Sequence, residues 1–196
     1  MIDREWLGGV AASLALLSNG AYLVSVVRRK TRPHVFSWTI WGLVTGITFF
    51  AQRSADAGPG AWHMATNSVM CFSVAALAIR YGSTDIKRSD VIAFIGALLA
   101  IPIWYVTHQP LAAVVMAILV DVFAYFPTFR KTYKRPHEEL AFTYTVDVVR
   151  CVLSIIATDS YSLTTLLYPA FVALGDGALV GMILYHRWRH AKLDVL

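Results

Sequence analysis

Seven apolar stretches of roughly 17 to 24 residues partition this sequence, at positions 6–27, 35–51, 61–79, 91–107, 111–129, 140–157 and 163–186. At about 1.5 Å of rise per residue, each is long enough as a helix to cross a hydrocarbon core of about 30 Å. Inside a bilayer every backbone N–H and C=O must be paired, so only helices and closed barrels span it. Long apolar runs without a two-residue alternation select helices. The chain is 57% hydrophobic and 15% charged, which leaves too little polar surface for a soluble domain of this size. The expected fold class is therefore all-α, a seven-transmembrane-helix membrane protein.

The basic residues supply an independent check on the division. Arg28, Arg29, Lys30 and Arg32 follow the first segment; Arg80, Lys87 and Arg88 follow the third. Arg130, Lys131, Lys134 and Arg135 follow the fifth, and Arg187, Arg189 and Lys192 the seventh. They fall on alternate loops, as a seven-span division requires. The positive-inside rule then sets the N-terminus outside and the C-terminus in the cytoplasm. The net charge of +5 is accordingly read as topology and not as a nucleic-acid surface. The start, Met-Ile-Asp-Arg-Glu-Trp, lacks a positive n-region, and no small-residue cleavage site ends the first run, so a retained first span is expected. Cys71 and Cys151 lie inside apolar runs without a CxxC or a His at ligand spacing, which predicts buried core thiols and neither a metal nor a cofactor.

An internal repeat organises the segments. Ala21-Tyr22 and Arg32-Pro33-His34 recur as Ala124-Tyr125 and Arg135-Pro136-His137, both at an offset of 103 residues without a gap. Segments one and five enter from the same side, so the halves are parallel three-helix repeats and segment four must cross the bilayer to restore orientation. The expected units are a first three-helix bundle (1–82), a linker with the fourth helix (83–110) and a second three-helix bundle with the cytoplasmic tail (111–196).

In this arrangement, and in the turns Lys30-Thr31-Arg32-Pro33-His34 and Phe126-Pro127-Thr128-Phe129-Arg130-Lys131 through Lys134-Arg135-Pro136-His137, the chain resembles a divergent bacterial member of the SWEET, PQ-loop and Pnu-like transporter group. His stands where the PQ-loop motif has Gln. Trp38-Thr39-Ile40-Trp41 is similar to the WxxW motif of the Pnu transporters, although paired Trp also serve as interfacial anchors. The resemblance implies a bacterial inner-membrane transporter of two triple-helix bundles joined by a linker helix. It also implies that an Asn in the third helix of a bundle contacts solute, and Asn67 is the position that fits.

Ionisable groups inside the spans point to function, since an Asp or Arg at a helix centre costs about 2.5 to 3.5 kcal/mol on insertion scales. Asp121 lies in segment five, Asp147 and Arg150 in segment six and Asp176 in segment seven, while Ser18, Val44, Ile47 and Ser73 stand at the matching first-half positions. Asp147 and Arg150 are three residues apart and able to pair on one helical face, either as a neutral structural pair or as the polar wall of a central cavity. Asp121 and Asp176 have no local basic partner and are candidates for binding protons or a cationic or hydroxylated solute. The glycines around Asp176 serve either close backbone approach or helix packing. Asn67 either binds solute or bridges helices. Trp41 and Tyr144, matched at the repeat offset, are a candidate aromatic clamp or simply packed rings. Pro33, Pro127 and Pro136 are candidate gating positions, and Pro102 and Pro169 further kinks.

The expected function is alternating-access transport of a small polar solute, with proton coupling through Asp121 or Asp176. The competing expectation is a membrane receptor or sensor that binds a ligand without moving it. The expected partners are the lipid bilayer and a small-molecule solute, with homo-oligomerisation open. An enzyme is disfavoured because HExxH, GxSxG and a dense His cluster are all missing. A retinal photoreceptor is disfavoured because all five Lys lie in loops or the tail.

Overall fold

The computed structural model describes residues 3–29, 33, 35–82, 109–134 and 141–193, with helical positions at 88, 91, 92, 94, 95, 98, 99, 102 and 106; side chains are described at all of these but 124, 126–128, 130, 131, 134 and 190–193. Six α-helices and one short 3-10 turn make up the described chain, and no strand occurs among the described residues. We label them α1 (Arg4–Val27), α2 (Val35–Ser54), η1 (Gly58–Ala61), α3 (Trp62–Tyr81), α4 (Pro110–Lys134), α5 (Ala141–Ala157) and α6 (Leu163–Leu193). Most of the expected linker, 83–110, lies outside the described residues. Phe94 within it packs against the core and meets Phe36 of α2 edge-on at 5.5 Å.

Helix starts and stops follow local chemistry. Asp3 caps α1 by accepting a hydrogen bond from the Trp6 N–H at 3.0 Å. Ser162 and Thr165 exchange hydrogen bonds at the start of α6, where the Thr165 N–H donates to Ser162 Oγ. Between α2 and α3 the chain turns through Asp56 and Gly58, both with positive φ. Gly58 needs its missing Cβ, because a methyl there would run into the Asp159 carboxylate.

Four helical stretches are long and apolar enough to cross a membrane: Arg4–Val27, Val35–Ser54, Gly58–Tyr81 and Leu163–Arg189. The apolar part of α4, Pro110–Phe123, is shorter, and the 17-residue α5 carries Asp147 and Arg150. Polarity is distributed in the manner of a membrane protein. Ile79 is 81% exposed and Leu174 76%, whereas Gln52, His63, Asn67, Asp121, Arg150 and Asp176 are all buried. A surface of large apolar side chains around a polar interior suits lipid as solvent and not water. Exposed aromatics gather near both ends, Trp6, Trp62 and Tyr161 at one and Tyr133, Tyr185 and Trp188 at the other, as interfacial rings do.

Neighbouring helices form a closed ring. The third helix lies against both α1 and α2; α2 meets α4; α6 lies against both α4 and α5; and α5 returns to α1. The main apolar core sits among α2, α4 and α6, with Ile40, Val44, Ile47, Val114, Ala117 and Val172. A second core, with Trp38, Cys71, Val74 and Ala75, joins α2 to α3. There α2 presents Gly42 and Gly46, whose missing side chains admit the Phe72 ring and Ser68 Oγ, each 3.0 Å from an added Cβ. The Ser68 hydroxyl then donates to the Gly42 carbonyl at 2.8 Å, the close approach that small residues permit between membrane helices.

Candidate functional site

Helical register places Asn67 on the face of α3 that points into the ring, four residues from His63 and four from Cys71, all three buried. Its side-chain oxygen accepts two hydrogen bonds, from Asn19 Nδ2 of α1 at 2.9 Å and from Arg150 Nη1 of α5 at 3.0 Å. Its amide nitrogen donates to Cys71 Sγ at 3.7 Å. Within α5, Arg150 Nε lies 2.9 Å from Asp147 Oδ1 as an ion pair, and Nε makes no hydrogen bond among the described residues. Three helices drawn from both halves of the chain thus converge on one amide. Arg150 stands seven residues from the Ala157 end of α5, about 10 Å along the axis at 1.5 Å per residue. A desolvated guanidinium is tolerable there because a carboxylate and an amide oxygen both receive it.

A second polar cluster joins α4 and α6. The Tyr168 hydroxyl donates to Asp121 Oδ2 at 2.6 Å, and the Tyr125 hydroxyl donates to Asp176 Oδ1 at 2.8 Å. Each helix contributes one Asp and one Tyr, so the two contacts cross reciprocally. Asp121 and Tyr125 are one helical turn apart and share a face of α4. The two carboxyl groups are 4% and 3% exposed. Asp121 Oδ1 has no hydrogen-bond partner among the described residues. Gly175, next to Asp176, makes room for Tyr125, whose ring carbon would lie 3.0 Å from an added Cβ. The phenols are neutral donors, so they stabilise a carboxylate without cancelling its charge. A proton or a cation is what would balance these sites electrically.

The structure thus joins Asn67, Arg150 and Asp147 in one network and sets Asp121 and Asp176 in the crossed pairs beside it. Trp41 packs edge-on against Trp38 at 5.3 Å, and Trp38 in turn lies 4.6 Å from Tyr22. Tyr144 is half-buried on α5. Pro33 is buried, and its carbonyl lies against Gly82. The α4 helix runs on through Pro127, and Pro169 sits inside α6. Pro136 lies outside the described residues.

Reading the sequence missed Tyr125 and Tyr168 as partners of the two carboxylates and left Asn19 unassigned. Tyr125 was visible as the repeat partner of Tyr22, but its hydroxyl contact depends on α6 lying against α4. The η1 turn was missed as well. Ser154 Oγ donates to the Gly60 carbonyl at 2.7 Å, Asp159 N–H donates to the Ala57 carbonyl at 3.1 Å, and Arg4 pairs with Asp159 at 3.2 Å. Gly8 of α1 receives Pro59, whose carbonyl oxygen would lie 2.6 Å from an added Cβ. Together these contacts close the η1 end of the seam between α1, α3 and α5.

No group of three or more His, Cys, Asp or Glu able to hold a metal occurs among the described residues. Comparison of the chain with protein-family models, with curated proteins and with solved structures gives no match.

Proposed function

We propose that this chain is a membrane transporter for a small polar solute, working by alternating access of two parallel three-helix bundles, α1–α3 and α4–α6. The observation that carries the reading is the Asn19–Asn67–Arg150–Asp147 network, a buried polar seam made by both halves. Ionisable residues inside a membrane protein mark solute and ion pathways, and solute sites of repeat-built transporters lie where the two repeats meet.

The ring of neighbours supports the duplicated architecture. In each half the third helix lies between the other two, and the α1–α5 contact has its counterpart in the α2–α4 contact. Ser54 and Ala157, the last residues of α2 and α5, are 103 residues apart, the same offset as the repeated motifs. In this reading the linker 83–110 supplies the seventh span, and the resemblance to the SWEET, PQ-loop and Pnu-like group holds at the level of scaffold. The basic loops put the η1 end outside and the C-terminus in the cytoplasm of a bacterial inner membrane. The closed η1 end then corresponds to an outward-closed state. Asp121 and Asp176 carry coupling protons, because each is held by a neutral phenol and by no cation among the contacts described.

The test is uptake of a panel of labelled small polar solutes into proteoliposomes with and without a pH gradient. Gradient-stimulated uptake that is lost in Asp121→Asn or Asp176→Asn is expected. Uptake unchanged in both variants rejects the coupling role. Solute-dependent thermal stabilisation in detergent without flux in liposomes would reject transport in favour of a receptor.

A further inference from the structure

One fully buried group plays no part in either cluster. His63 is 0% exposed and sits on the inward face of α3 between two ties to α5. On one side Ser154 Oγ donates to the Gly60 carbonyl at 2.7 Å, and on the other Arg150 Nη1 donates to Asn67 at 3.0 Å. Register agrees from both helices, since His63 and Asn67 are four residues apart on α3, as are Arg150 and Ser154 on α5. The imidazole therefore lies along the same seam as the solute network, one turn nearer its closed end.

The tautomer follows from its one partner. His63 Nδ1 is 3.1 Å from the Gly60 carbonyl oxygen. A carbonyl only accepts, so Nδ1 carries the hydrogen and the neutral ring presents its lone pair at Nε2. That Nε2 is buried and has no partner among the described residues. Buried polar atoms are seldom left unmatched, and an unmatched acceptor calls for a donor. The donor also has to suit Arg150, which already brings positive charge to the seam and disfavours a cationic occupant.

We propose that His63 is a solute-contacting residue whose Nε2 accepts a hydrogen bond from an uncharged solute bearing an O–H or N–H donor, with an acceptor on the same solute facing Arg150. This assignment rests on the transport reading for how solute reaches the seam, but its chemistry is testable without flux.

The experiment uses the full chain in detergent and in liposomes, treated with diethyl pyrocarbonate, which transfers an ethoxycarbonyl group to an unprotonated imidazole nitrogen, and analysed by peptide mass spectrometry. His63 is expected to react more slowly than exposed histidines. N-methylacetamide is expected to slow it about threefold further at twice its Kd. Methyl acetate, of the same shape and with the same carbonyl but no N–H, is expected not to protect. A His63 that never reacts while His186 does, or equal protection by both probes, or protection by neither, overturns the proposal. His63→Phe is expected to keep the chain folded and to abolish the rise in Tm caused by N-methylacetamide; a rise that survives in the variant overturns it too. If transport fails while the protection holds, the transport reading falls and the site stands.

Discussion

The two halves of the ring solve the same packing problem with different chemistry. In the first, α1, α2 and α3 are joined by small residues, rings and uncharged polar groups: Gly42 and Gly46 against Phe72 and Ser68, and Tyr22 against Trp38 and Trp41. In the second, α4, α5 and α6 hold Asp121, Asp147, Arg150 and Asp176. The matching first-half positions are Ser18, Val44, Ile47 and Ser73. Charge is not needed to hold a three-helix bundle together in this molecule, since one half manages without it. The buried charge of the described residues therefore lies in the other half, and the first half meets it through Asn67, which Asn19 also contacts.

That contrast is open to attack by substitution, with stability followed by thermal or denaturant unfolding in detergent. Arg150→Met should be the most damaging change, costing about 3 kcal/mol, because it leaves the partly buried Asp147 carboxylate without its cation and Asn67 without a donor. Pairing it with Asp147→Leu should recover much of the loss. If the single variant is benign, the second half does not depend on its charges as described. Gly60→Ala should cost about 1–3 kcal/mol by overpacking, since the added methyl would press on Thr158 and lie 2.8 Å from the Ser154 carbonyl oxygen. It should also speed labelling of the seam by a thiol reagent at Cys71. Tyr168→Phe removes the one donor that Asp121 has among the described residues and should cost about 1–3 kcal/mol, because a buried acceptor is left unmatched. Asp121→Asn, which keeps an oxygen for the phenol, should cost less than that. Ser68→Ala in the first half should be the mildest, about 0.6 kcal/mol, the average for an interhelical hydrogen bond in a membrane protein. A Ser68→Ala loss equal to that of Arg150→Met would erase the distinction between the halves.

Much of the scaffold was legible because hydropathy and helix formation coincide in lipid. Six of the seven apolar segments overlap described helices, and the fourth falls in a region that is mostly outside the described residues. Where the ends differ, the reason is physical. The predicted seventh segment ends at position 186, whereas α6 continues to Leu193, because apolar content marks where a helix leaves the bilayer and not where it stops. The Asp147–Arg150 pair was legible because its partners share one helix. The phenol partners of Asp121 and Asp176 were not, because those contacts span 47 and 51 residues and exist only once α4 and α6 are side by side. The docking of η1 was hidden for the same reason: Gly58-Pro59-Gly60 announces a turn, but not the three helices that receive it.

The intrahelical placement of the Asp147–Arg150 pair also bears on how the chain is made. In the proposed arrangement, where α5 is a span, spans enter the bilayer in order from the ribosome, and α5 arrives long after α1 and α3. A lone Arg on α5 would enter hydrocarbon with its charge uncompensated until Asn67 was reached. With Asp147 three residues away on the same helix, α5 brings its own counter-ion and crosses as a near-neutral rod. Asn19 and Asn67, both synthesised earlier, can hold each other until it docks. Biosynthesis then requires no partner to be present before its turn, and moving Asp147 to a neighbouring helix should slow membrane insertion even if the finished network were rebuilt.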